Sequence, residues 1–280
     1  MTNRKLAYIV KDQKPLVLAE SETAGRACAL MCEHGAGSVL VVGKEHHLTG
    51  IFTGRDAVRL IAKGRAPGEV KLAKAMTEGP VSVRPDCTAI EALKAMAAGG
   101  FRHVPVTDDH EIVGVVSKGD FKGMEFEAFL WRELGGGLGN SADRRVGDII
   151  EGKTPLIAKS DETVKHVCQT MLKESRGFAL VTDACGHLKG IFTGRDAVKA
   201  IRSGIAPEAT AVSKAMTGKP VTIASDARAI EALRAMCDGG FRHLPVVAEG
   251  KVLGVVTRAD FTGYEIDQLD EQEHLRECIW

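Results

Sequence analysis

The chain has no surplus charge of either sign, no long apolar run and no metal-ligand spacing among its cysteines. Its 280 residues carry 37 basic and 37 acidic side chains, so net charge gives no argument for a polyanionic partner, and nucleic acid is not expected. Runs such as Leu253-Gly-Val-Val256 fall far short of the ~20 apolar residues that a membrane span requires. The first ten residues, Met1 to Val10, lack the apolar stretch and cleavage site of a secretory signal, so cytoplasmic placement is the expectation. Seven cysteines cannot all pair. Cys28 and Cys32 read as small apolar side chains on one helix face, and Cys87, Cys168 and Cys237 read the same way. His46-His47 reads as a solvated turn. A nucleophile elbow, a P-loop and paired carboxylates are missing too, so the sequence offers no catalytic machinery.

What the chain does have is repetition. Gly50 to Val58 reads GIFTGRDAV, and Gly190 to Val198 reads the same nine residues 140 positions later. The same offset carries Lys74-Ala-Met-Thr77 onto Lys214-Ala-Met-Thr217, and Gly99-Gly-Phe-Arg-His103 onto Gly239 to His243. A weaker repeat lies within each half. Gly50 to Asp56 has a relative 64 positions on in Gly114-Val-Val-Ser-Lys-Gly-Asp120, and Gly190 to Asp196 has one in Gly254-Val-Val-Thr-Arg-Ala-Asp260. The building block is therefore about 60 residues long and occurs as a pair of pairs.

The second block shows its local logic. Val81-Ser-Val83 predicts a short strand; Pro85-Asp86 opens a helix with Asp86 as cap, and Gly99-Gly100 ends it. His103 to Val106 and Ile112 to Val116 are two further strands, and Ser117 starts a second helix through Phe121. The order is β-α-β-β-α. The fourth block repeats it from Val221 to Phe261, and the first and third follow, with helices near residues 20–33 and 161–173. The expected blocks are 4–64, 72–125, 145–204 and 212–265. A glycine-rich linker spans 126–144 and a helical tail 266–280.

Thr53-Gly-Arg-Asp56 joins a strand to a helix. There a hydroxyl and unpaired backbone N–H groups can hold a phosphate, and an aspartate one turn on can accept from both hydroxyls of a ribose. Ser/Thr-x-x-Asp at a helix start is equally a capping box, in which each residue caps the other. Basic residues nearby favour the nucleotide: Arg55, Lys118, Arg195 and Arg258 lie inside the motifs, and Arg102-His103 and Arg242-His243 precede neighbouring strands.

The block order, with Met76-Thr77-x-x-Pro80-Val81, Phe101-Arg-His-Val-Pro-Val106 and Gly114-Val-Val-Ser-x-x-Asp120, resembles the CBS (cystathionine-β-synthase) domain family over nearly the whole chain. The resemblance implies an α/β fold of four repeats paired into two Bateman modules that form a disk, with adenosine-containing ligands between paired blocks. It also implies a non-catalytic sensor of AMP, ADP or ATP that signals to a separate effector protein. S-adenosylmethionine or NAD as ligand, or a scaffold whose motifs are only helix caps, are the alternatives. Matched residue by residue, the ribose-binding aspartates are Asp56, Asp120, Asp196 and Asp260, and the phosphate-side hydroxyls are Thr53, Ser117, Thr193 and Thr257. Thr77 and Thr217 match the threonine near the adenine, with Val81 and Val221 in the same segment, and Arg102-His103 and Arg242-His243 match the phosphate-reaching basic pair. The first and third blocks depart from the pattern. Asp12 and Gly152 stand at the Thr77 position, and Ser38-Val39 and Phe178-Ala179 stand at that of Arg102-His103. The resemblance thus implies one better-equipped site per module, and either a monomeric pseudo-dimer or a homodimer.

Overall fold

The computed structural model describes residues 3–109, 111–121, 125, 144–257 and 260–261. The linker apart from Arg144, the tail and Arg258 lie outside the described residues.

In the first block, β1 (Val17–Ala19) runs parallel to β2 (Ser38–Val42), and β3 (Leu48–Thr53) runs antiparallel to β2. The sheet is completed by β4 (Thr77–Glu78), which lies more than 20 residues along the chain yet pairs Thr77 with Ile51. The second block contains the hairpin β5 (His103–Asp108) and β6 (Glu111–Ser117). The second half repeats this plan. β7 (Ile157–Lys159), β8 (Phe178–Thr182), β9 (Leu188–Thr193) and β10 (Thr217–Gly218) form one sheet, and β11 (His243–Ala248) and β12 (Lys251–Thr257) form a hairpin.

Blocks in space are not blocks in sequence. The helix Leu6–Val10 falls within the expected first block, 4–64, but packs under the second: Leu6 N–H donates to the Cys87 carbonyl at 2.8 Å, and Ala89 N–H to that of Arg4 at 2.8 Å. Leu6 and Val10 share a core with Leu93, Met96 and Val116. Helix Val146–Ile150 does the same for the fourth block. In return, Leu72 and Ala75 join the core of the first block. Each module is thereby stitched by exchanged segments.

The first and third blocks share one continuous apolar core, in which Phe52, Ile61 and Leu72 pack with Val164, Met171 and Phe192. The helices Gly54–Ala62 and Gly194–Arg202, both starting inside GIFTGRDAV, meet there. A Cβ on Gly54 would come within 2.7 Å of the Gly194 backbone, so only glycine permits this crossing. Within the second module, Leu180 and Ile191 of the third block pack on Val255 of the fourth, and Leu188 N–H donates to the Gly250 carbonyl at 3.0 Å.

Three local expectations are corrected. The strand expected over Val81–Val83 reduces to a single parallel bridge from Val83 to Val106, since Pro80 and Pro85 on either side supply no N–H to extend it. The cap of helix Ala89–Gly99 is Thr88, whose partner Glu91 accepts from its N–H at 2.7 Å, while Asp86 turns to Arg84. Ser117 opens only a 3-10 turn over Lys118–Asp120 within the described residues. Cys28 and Cys168 are buried in the shared core, and burial pushes both thiols up to about 12. His46, at φ 59°, sits in an exposed turn.

Candidate functional site

In all four Ser/Thr-x-x-Asp motifs the aspartate caps the start of the turn, and at Thr53, Ser117 and Thr193 the cap is reciprocal. In each, one carboxylate oxygen, Oδ2, accepts from the backbone N–H and the hydroxyl of the residue three positions earlier. The N–H distances are 2.8 Å at Thr53, 2.6 Å at Ser117, 2.8 Å at Thr193 and 2.6 Å at Thr257. The hydroxyl distances are 2.9, 2.9, 2.7 and 2.8 Å in the same order. The cap consumes half of each carboxylate. The fate of the other oxygen, Oδ1, separates the four.

Asp56 is 1% exposed, and its Oδ1 accepts from Thr77 Oγ1 at 3.2 Å and from Arg59 at 2.8 Å. Burial raises its carboxyl above the ordinary aspartate range, against the opposing pull of Thr53, Arg59 and Thr77. Asp196, 3% exposed, accepts from Thr217 Oγ1 at 2.9 Å. Thr77 and Thr217 therefore meet the aspartates of the first and third blocks, because β4 and β10 are delivered to those blocks' sheets. Asp260 Oδ1 is held by Lys153 Nζ at 2.5 Å. Asp120 is exposed, and among the described residues its Oδ1 accepts nothing. Position 153 corresponds to Gln13 in the first half, whose side chain accepts from Val115 N–H at 3.1 Å and leaves Asp120 alone. Arg59 and Lys153 escaped the sequence reading, although aligning the halves at 13 and 153 would have exposed the second.

The basic residues converge. His103 is the cross-strand partner of Ser117, and His243 of Thr257, so each histidine lies beside one cap motif. His103 Nε2 approaches Gly37 so closely that a Cβ there would stand 3.1 Å away. Phe178 packs on His243 with ring centroids 5.0 Å apart. Arg102 reaches across the modules to Gly177, where a Cβ would lie 3.7 Å from its guanidinium. Both arginines are exposed to solvent, and Arg102 is at the same time surrounded by enough protein for burial to lower it, as at the rim of a cleft. Burial first, then Arg242 and Arg102, lowers His103 to about 4. His243 falls to about 4 through burial, Arg102 and Arg242. Burial and the charges of Arg242 and Arg55 lower Arg102, and burial with Arg102 lowers Lys118. The two modules thus pool their positive charge in one place. Val81 and Val221 stand 53% and 55% exposed, a pair of apolar side chains left open to solvent.

Comparisons with known proteins agree with this architecture. A CBS domain-containing protein of Arabidopsis thaliana, CBSCBSPB2, is 28% identical over 260 residues, covering 83% of this chain and 48% of its own length. CBSCBSPB3 from the same plant is 28% identical over 268 residues, covering 84% of this chain and 47% of its own. The chain spans about half the length of these curated relatives. Among solved structures, protein MJ1225 from Methanocaldococcus jannaschii, named as a putative archaeal homolog of g-AMPK, superposes with a TM-score of 0.73. That match covers 92% of this chain and 98% of the other at 18% identity, and so it speaks for the fold. Residues 9–63, 69–123, 146–203 and 212–267 each match the CBS domain, and the chain belongs to the CBS-domain family, with four copies.

Proposed function

We propose that this protein is a non-catalytic sensor that binds phosphorylated adenosine ligands, AMP, ADP or ATP, between its paired blocks and passes the signal to a separate effector protein. One juxtaposition carries the reading. The Ser117–Asp120 motif offers for a ribose a carboxylate oxygen that accepts nothing among the described residues, and its cross-strand neighbour His103 belongs to a cation cluster with Arg102, Lys118 and Arg242. A diol acceptor beside a concentrated positive charge suits a nucleoside with a phosphate on its ribose. The exposed Val81 offers an apolar side chain of the kind a purine face packs against.

The same charge argues against S-adenosylmethionine, whose sulfonium is itself cationic. A scaffold with caps alone gives no reason for Arg102, Lys118 and Arg242 to gather across the two modules, whereas an anionic ligand does. Four copies of one motif and the lack of a nucleophile–base pair in the sequence speak for binding over turnover. The ligand signals only if it binds two poses of the modules with different affinity.

Thermal shift on nucleotide-freed protein, with AMP, ATP, S-adenosylmethionine and NAD, tests this. Ligand at 100 times its Kd contributes about 2.7 kcal/mol to the bound state, a rise of several degrees for AMP or ATP that Asp120→Ala removes. No shift with any adenosine ligand returns the motifs to capping alone.

A further inference from the structure

We propose that the β8–β9 turn of the third block is a binding site for one borderline-soft divalent cation of the zinc class. Asp183, Cys185 and His187 alternate along this turn, and one ligand atom from each lies within 4.8 Å of the others. The turn is built to hold them so. Asp183 Oδ1 accepts from Cys185 N–H at 3.0 Å and His187 N–H at 2.9 Å, and Asp183 N–H donates to the His187 carbonyl at 3.0 Å. Gly186, at φ +82°, supplies the left-handed residue that the turn requires. Residues i, i+2 and i+4 therefore project their side chains together.

The donor set decides the metal. A thiolate, an imidazole and a carboxylate suit zinc, at about 2.3 Å to sulfur and about 2.0 Å to nitrogen, and are wrong for the all-oxygen shells of calcium and magnesium. Three protein ligands leave a fourth position for water. A cation already attends the carboxylate: Lys189 Nζ lies 3.1 Å from Asp183 Oδ2, so a metal competes with this ammonium. The first half contains an internal control. Its corresponding turn holds Gly43, Glu45 and His47, with His47 Nδ1 3.8 Å from Glu45, and has neither the aspartate nor the thiol. The site sits on the seam between blocks, since His187 bridges Lys251 and its ring faces Gly250.

The test uses the full chain, stripped with a chelator and titrated with zinc against a chromophoric competitor, with cobalt as spectroscopic probe. The expected result is one equivalent of zinc and a thiolate-to-cobalt charge-transfer band. Both vanish in Cys185→Ser and His187→Gln with the circular dichroism spectrum retained, and both persist in His47→Gln. Lys189→Met, which removes the competing ammonium, binds zinc several-fold tighter. No zinc held against the competitor, or binding unchanged in Cys185→Ser and His187→Gln, overturns the proposal.

Discussion

Gly54 and Gly194 cross backbone to backbone at the centre of the molecule, where a Cβ on either would come within 3 Å of the other's carbonyl carbon. The nine-residue segment that recurs without change is therefore in contact with its own copy. Its identity reports a self-complementary packing surface between the two halves.

Replacing Gly54 with alanine forces that crossing apart. Overpacking of this kind costs about 1–3 kcal/mol, and Gly194→Ala should cost a similar amount. Because the two act on one contact, the double variant should lose less than the sum in urea unfolding. Additive losses would place the contact elsewhere.

Asp56 and Asp120 occupy the same motif position but should fail differently. Asp56→Ala removes a buried cap and strands Thr77 and Arg59, at a cost of about 2–4 kcal/mol. Asp120→Ala loses a cap on a short exposed turn, about 1 kcal/mol, together with nucleotide affinity. Urea titration and calorimetric binding, run on both variants, separate the two roles.

Lys153 makes the modules unequal, because it fills the oxygen of Asp260 that its counterpart Gln13 leaves open on Asp120. Lys153→Gln should strengthen the weaker class of nucleotide site about tenfold, and Gln13→Lys should weaken the stronger class by a similar factor; one broken charged contact of about 1.4 kcal/mol corresponds to tenfold. Identical site classes in the wild type would contradict this.

His103 and His243 give the ligand-free protein an acid limit. Their folded values near 4 lie below the ordinary 6.5, so the neutral rings favour folding above pH 6.5 and this stability is lost as pH falls toward 4. Water in the cleft screens the effect to roughly 1–3 kcal/mol per ring. Melting curves at pH 7.5, 6.0 and 5.0 should show the decline, and a His103→Gln, His243→Gln double variant should flatten it.

The sequence carried the repeat order, the cap motifs and the basic pairs, because each is local or recurs at a fixed offset. It did not carry the exchange of segments between blocks. Thr77 lies 21 residues from Asp56 and inside the expected second block, yet β4 delivers it to the first. Nor did composition show that Lys153 reaches Asp260, 107 residues away. Such pairings follow from how the sheets and exchanged helices stack, which no local pattern encodes.

The proposed function requires the pooled cations and the open oxygen of Asp120 to hold a phosphorylated adenosine together. Isothermal titration of nucleotide-freed protein with AMP and with unphosphorylated adenosine tests it most directly. AMP should bind at least about tenfold tighter than adenosine, one charge-assisted contact's difference, and the gap should close in Arg102→Ala, Arg242→Ala. Equal affinity for the two ligands, or a gap unchanged in that variant, would contradict it.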